Sequence, residues 1–159
     1  MLITVAAIGK LKAGPERELF ARFVERAGDA GRKLGLSFAV REFPESRAAS
    51  PAMRKDQEAA LLLGSLGPGA TLVALDEGGK SFGSRAFSER LARWRDTGTS
   101  DLTLAIGGAD GHGAALLEKA SLSLAFGPMT WPHQLVRVML AEQLYRAVTI
   151  LSGHPYHRD

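Results

Sequence analysis

At 159 residues the chain has the length of one domain, and with 45% hydrophobic and 23% charged residues it can bury a core, which excludes general disorder and fibrous architectures. The absence of cysteine excludes disulfide scaffolds, thiolate zinc sites and cysteine nucleophiles, and agrees with a reducing cytoplasm. A net charge of +3 is too small to announce a nucleic-acid partner, and with no apolar run near ~18 residues and no basic flank ahead of the first apolar run, a soluble cytoplasmic protein without membrane contact is expected.

Apolar runs alternate with amphipathic stretches along the chain. Residues 2–9 read as a buried strand; Pro15 then opens a helix with Leu19, Phe20, Phe23, Val24 and Ala27 on one face. Residues 36–43 read as a second strand. Ser50-Pro51 starts a helix carried by Met53, Gln57, Ala60, Leu61 and Leu63, which stops at Leu66-Gly67-Pro68-Gly69. Residues 70–76 form the third strand, and Ser84 is placed to cap a helix in which Phe87, Leu91 and Trp94 recur at helical spacing before Gly98 ends it. Residues 101–108 and 122–126 are the fourth and fifth strands, with a short helix between them. This alternation predicts an α/β fold, a mostly parallel sheet with helices on both faces in a single domain.

The last helix, from about Pro132 to Leu151, has apolar residues facing more than one way: Leu135, Val136, Val138, Met139, Leu140, Leu144, Val148, Ile150 and Leu151 do not fit one stripe. It needs two partners, and a subunit interface is the economical second one, with an unusually central place in the core as the alternative.

Three segments stand out as candidate sites. Gly79-Lys80-Ser81 ends like a phosphate loop, but Ala74 occupies the position of the leading glycine, so a tight turn is the better reading. Residues 106–113 place glycines at the carboxyl end of a strand and ahead of a helix, where α/β folds bind ligands, yet no register gives the dinucleotide fingerprint. A second such loop, residues 126–133, follows the next strand, and the whole stretch 102–134 carries only Asp110, Glu118 and Lys119 as charges. Two permissive, near-neutral loops could converge on one small molecule. The terminal GHPYHRD gathers histidines, a tyrosine and an arginine suited to an unstacked base, against the plain alternative of a frayed tail. It is a poor metal site, because His154 and His157 lack a third ligand, and no metal is expected. A non-catalytic RNA-binding module would account for the tail but not for the paired loops.

The segments VALDEGGKSFGS, LTLAIGGADGHG, MTWPHQLVRVMLAEQLYRA and HPYHRD, with the opening AIGKLK, resemble the RlmH (YbeA) family of ribosomal RNA pseudouridine methyltransferases in the SPOUT superfamily. The resemblance spans the chain and is most specific from residue 71 onward. It implies a C-terminal trefoil knot, a homodimer, S-adenosylmethionine (AdoMet) as methyl donor, and methylation of N3 of a pseudouridine in the helix 69 hairpin of 23S rRNA, on the ribosome. It places the AdoMet contacts on Leu75, Gly107, Gly108, Phe126, Gly127, Pro128, Met129, Thr130 and Trp131. It also places the acceptor-side, catalytic group on Tyr156, His157 and Arg158. His157 would take the imide proton, since a histidine can be neutral near physiological pH; Arg158 would hold a phosphate or base edge and Tyr156 would stack. Arg137, Glu142, Tyr145 and Arg146 match the family's last helix in either a catalytic or a structural role.

Overall fold

A computed structural model describes residues 1–157. Its strands are β1 (Leu2–Ile8), β2 (Ser37–Phe43), β3 (Thr71–Ser81), β4 (Asp101–Ile106) and β5 (Leu122–Ala125), all parallel in the order β2-β1-β4-β3-β5. The helices are α1 (Pro15–Gly31), α2 (Pro51–Gly64), α3 (Ser84–Asp96), α4 (Ala114–Lys119) and α5 (His133–Leu151). The α/β class and the order of elements match the sequence expectation. The steps from β1 to β2 and from β3 to β4 run toward one edge and place α1 and α3 on one face; the oppositely directed steps place α2 and α4 on the other. A uniform crossover hand requires that pattern.

Side chains alternate between the faces, and the two faces differ in bulk. On one, Val5, Leu104 and Val73 stand side by side in register and pack under α1, α3 and α5. On the other, the neighbouring row is Ala6, Ala105 and Ala74, which lets Ala59 and Leu62 of α2 and Leu116 of α4 approach the sheet closely. Successive residues point to opposite sides of a strand, so a one-residue slip would exchange the two rows.

Four expectations need correction. Ser84 does not cap α3: Gly83 holds the cap position without a side-chain bond, and the Ser84 hydroxyl donates to Gln143 Oε1 at 2.8 Å, tying α3 to α5. In α2, Ser50 does accept from the Met53 amide, but the buried face is Glu58, Ala59 and Leu62, while Met53 and Leu61 are exposed. The row of alanines selects the small Ala59, which a count of large apolar residues overlooks. Strand β3 continues to Ser81 through a register shift between Leu75 and Lys80, so Gly79-Lys80-Ser81 lies in a strand and is neither a turn nor a phosphate loop. A Cβ on Gly79 would come within 2.6 Å of the Ser123 backbone, which is why glycine stands there.

The fourth correction concerns α5. It lies between α1 and α3, with Val138, Leu140, Ala141, Leu144, Ala147 and Val148 buried within its own chain. Its second partner is thus a pair of helices in the same molecule, where the apolar pattern alone favours a subunit interface.

Candidate active site

The register break of β3 and the carboxyl ends of β4 and β5 surround a cavity of about 490 Å³, within the usual size of small-molecule sites. Leu75 and Asp76 from β3, the turn Gly107–His112 after β4, and Phe126–Gly127 with Met129, Thr130 and Trp131 after β5 form its walls. Eight of the nine residues assigned to the donor by resemblance border this one cavity: Leu75, Gly107, Gly108, Phe126, Gly127, Met129, Thr130 and Trp131. Pro128 does not. Met129 and Trp131 are exposed, so the loop after β5 offers open apolar surface to a ligand. The Thr130 hydroxyl donates to Glu77 Oε2 at 3.0 Å and joins that loop to the bulged part of β3.

The Gly107–His112 turn is built against α2. Arg54 pairs with Asp110 through Nε at 2.6 Å and Nη2 at 3.2 Å, and its Nη1 donates to the Ala48 carbonyl. This pairing pulls the Asp110 carboxyl below its usual range. Glu58 is buried behind the turn; one oxygen accepts from the Ser46 amide at 2.9 Å, and the other would lie 2.7 Å from a Cβ on Gly108. A Cβ on Gly107 would come within 3.0 Å of the Gly111 backbone. These glycines therefore let the turn close on itself and on α2, a constraint distinct from the approach of a ligand.

His112 lies within the same turn and borders the cavity, though nothing in the pattern of glycines singles it out. It is 6% exposed, with Nε2 3.1 Å from the Leu75 carbonyl. A carbonyl only accepts, so Nε2 carries the ring proton. Burial pushes its pKa below the usual histidine value, partly offset by the nearby charge of Asp76.

The described part of the tail is packed on α5, away from this cavity. The Tyr156 phenol donates to Glu142 Oε1 at 3.1 Å, its ring lies 4.6 Å from that of Tyr145, and the Arg146 guanidinium sits over it at 5.0 Å. Burial, followed by the Glu142 charge, raises the Tyr156 pKa. Arg146 Nη1 lies 3.4 Å from His157 Nδ1, and because a guanidinium only donates, Nδ1 is the acceptor in this contact. Arg158 lies outside the described residues. None of the described tail residues borders the cavity.

Of the four helix residues left open by the sequence, Arg137 is fully buried; it donates to Glu42 Oε1 at 2.8 Å and to the carbonyls of Ile8 and Gly9. It ties α5 to the ends of β1 and β2. Glu142, Tyr145 and Arg146 hold the tail. A second, apolar cavity of about 590 Å³ opens between Leu19 and Phe23 of α1, Phe87 of α3 and Met139 of α5, sharing the wall Leu124–Gly127 with the first. Among the described residues, no three carboxylates or histidines are grouped as a metal site, and no helix is long and apolar enough to cross a membrane.

A doubly wound sheet with a glycine-lined cavity at its strand ends is an architecture of cofactor-dependent enzymes. The chain belongs to the SPOUT methyltransferase family: the model of that family, described as "Predicted SPOUT methyltransferase", matches residues 1–157. It is 59% identical over 160 residues to the ribosomal RNA large subunit methyltransferase H of Methylocella silvestris, and 54% identical over 160 residues to the protein of that name from Brucella anthropi. Both alignments cover all of both chains. Among solved structures it is similar to the SpoU methyltransferase AviRb from Streptomyces viridochromogenes in complex with AdoMet, with a TM-score of 0.42 and 15% identity, covering 96% of this chain and 61% of that one.

Proposed function

We propose that the protein transfers a methyl group from AdoMet to large-subunit ribosomal RNA, at N3 of a pseudouridine in the helix 69 hairpin, on assembled ribosomes in the cytoplasm. The observation that carries this reading is the convergence of the two glycine loops and Leu75 on one cavity, in a chain of the SPOUT methyltransferase family. Full-length relatives named as methyltransferases of large-subunit ribosomal RNA support the substrate class. The resemblance of the tail supports the particular nucleotide.

The cavity fits AdoMet by its chemistry. Leu75, Phe126, Met129 and Trp131 supply apolar walls for the adenine and the methionine stem, and the glycine turn supplies backbone amides and carbonyls. AdoMet supplies an electrophilic methyl on a sulfonium, and no metal is needed. The chain has to orient the acceptor nitrogen in line with that methyl and take up its imide proton. His157 is assigned the proton, which requires its ring to turn so that Nδ1 leaves Arg146. Tyr156 stacks on the base and Arg158 holds a phosphate or base edge.

Within one chain no described tail residue borders the donor cavity, so a second copy bringing its tail to that cavity is the arrangement that completes the site. A homodimer is proposed on this ground, with the apolar cavity between α1 and α5 as the surface to be covered. The trefoil knot belongs to the same reading, through family membership.

Mass spectrometry of ribosomal RNA nucleosides from a strain lacking the protein tests the reaction. N3-methylpseudouridine should disappear and return on complementation; its persistence refutes the proposal. Light scattering at micromolar concentration should give twice the chain mass, and a monomer would refute the dimer.

A further inference from the structure

The register of β3 breaks immediately after Leu75, and the Leu75 carbonyl meets Nε2 of His112 at 3.1 Å. The adjoining ring atom, Cε1, lies 3.3 Å from where a Cβ on Gly107 would stand, so the ring occupies the space beside that glycine. One buried imidazole, carried by the turn after β4, therefore bonds β3 at its register break and itself borders the cavity. Leu75 is held by its own buried side chain, but the turn has no large apolar one: Gly107–Gly111 consists of three glycines, an alanine and an aspartate. Glycines hold no conformation by themselves, so the turn needs an external support. Arg54 braces its tip through Asp110, and His112 braces its base.

We propose that His112 is a positioning residue of the donor cavity: its Nε2–H bonds the Leu75 carbonyl and so ties the turn after β4 to β3, and the two present one pre-formed rim to the cofactor. The inference rests on the reading of this cavity as the AdoMet site. Pre-organisation lowers the ordering cost of binding, so its loss shows in affinity. A neutral ring suits the role. AdoMet carries one more positive charge than its demethylated product, and a charged imidazole at the rim would oppose it. The other ionisable groups bordering the cavity are Lys55, Asp76, Glu77, Asp110 and His133.

Calorimetric titration of AdoMet into three full-length proteins tests the proposal. His112→Leu keeps the bulk and removes the donor, and is expected to weaken AdoMet binding about 5- to 10-fold, the equivalent of one lost hydrogen bond. His112→Gln keeps a donor at similar reach and should remain within about 3-fold of the natural protein. In steady-state assays the Leu variant should raise KM for AdoMet and leave kcat at saturation nearly unchanged. Equal affinities for all three proteins overturn the proposal and leave the cavity's assignment standing. Equally weak binding by both variants overturns it too, since the donor would not then be what matters. If the natural protein itself takes up no AdoMet, the assignment of the cavity fails and the proposal with it. Should the Leu variant not fold, His112→Asn, whose shorter side chain cannot reach Leu75, takes its place with the same expected contrast to Gln.

Discussion

Tyr156 and Glu142, fourteen residues apart, are joined by a hydrogen bond of 3.1 Å from the phenol to Oε1, and Arg146 binds the same oxygen through Nε at 3.0 Å. The tail is thus held on α5 by a carboxylate shared between a phenol and a guanidinium. Tyr156→Phe removes one of these bonds and keeps the ring contact with Tyr145. It is expected to lower single-turnover methyl transfer to ribosomal subunits by about 5- to 10-fold, with AdoMet affinity unchanged, in line with one hydrogen bond of about 1 kcal/mol. Unaltered transfer would mean that the anchoring is incidental to activity.

Truncation after Gly153 separates donor from acceptor functions. No described tail residue borders the donor cavity, so the shortened chain should bind AdoMet as the full chain does and lose methyl transfer. His157→Ala should behave likewise and lose whatever pH dependence of the rate that ring contributes. Arg158→Ala should weaken RNA binding and reduce its salt dependence by about one phosphate contact. Full activity in the truncated chain would refute the acceptor-side assignment.

Arg137 gives a stability prediction. Arg137→Leu would remove the Ile8 and Gly9 carbonyls' guanidinium donor and leave the Glu42 carboxylate without its counter-charge, holding only the Leu11 amide at 2.8 Å. Breaking a buried pair costs about 3–5 kcal/mol, and the partial exposure of Glu42 places the expected loss near the lower end. Urea denaturation measures it. A loss below about 1 kcal/mol would show that solvent reaches the groups left behind.

The pH dependence of folding follows from His112. Burial lowers its folded pKa, so just below the ordinary histidine value, about 6.5, the unfolded chain binds more protons than the folded one. Stability contributed through this group is complete above that value and declines as the pH falls through it toward the lowered folded value. His112→Gln should flatten that part of the curve. Urea midpoints measured between about pH 5 and 7.5 decide the matter, and identical slopes for the two proteins would contradict it.

Periodicity made the strands, the helices and the parallel sheet legible, because long apolar runs between amphipathic stretches leave few alternatives. The two glycine loops were legible as a pair for the same reason: both follow strands in a stretch with hardly any charge. Other features depended on contacts between distant segments. His112 looks like any loop histidine until Leu75, thirty-seven positions away, is placed beside it. The extension of β3 past Leu75 was hidden because Gly78-Gly79-Lys80-Ser81 has none of the residue types that favour strands, and only the close approach to Ser123 explains it. The central position of α5 was visible as excess apolar surface, but which molecule would cover that surface was not.

The alanine row Ala6–Ala105–Ala74 also bears on which changes the enzyme can tolerate. Helix α2 rests on this row through Ala59 and Leu62, and the same helix carries Arg54, which grips Asp110, and Glu58, which stands behind Gly108. A single added branch in the row, as in Ala105→Val, has no room to be absorbed locally and would lift α2 from the sheet. The displacement would carry both side chains with it. An exchange of one apolar residue for another at the middle of the sheet would then register as altered cofactor affinity, and variants screened for activity alone would misattribute it to the binding loops.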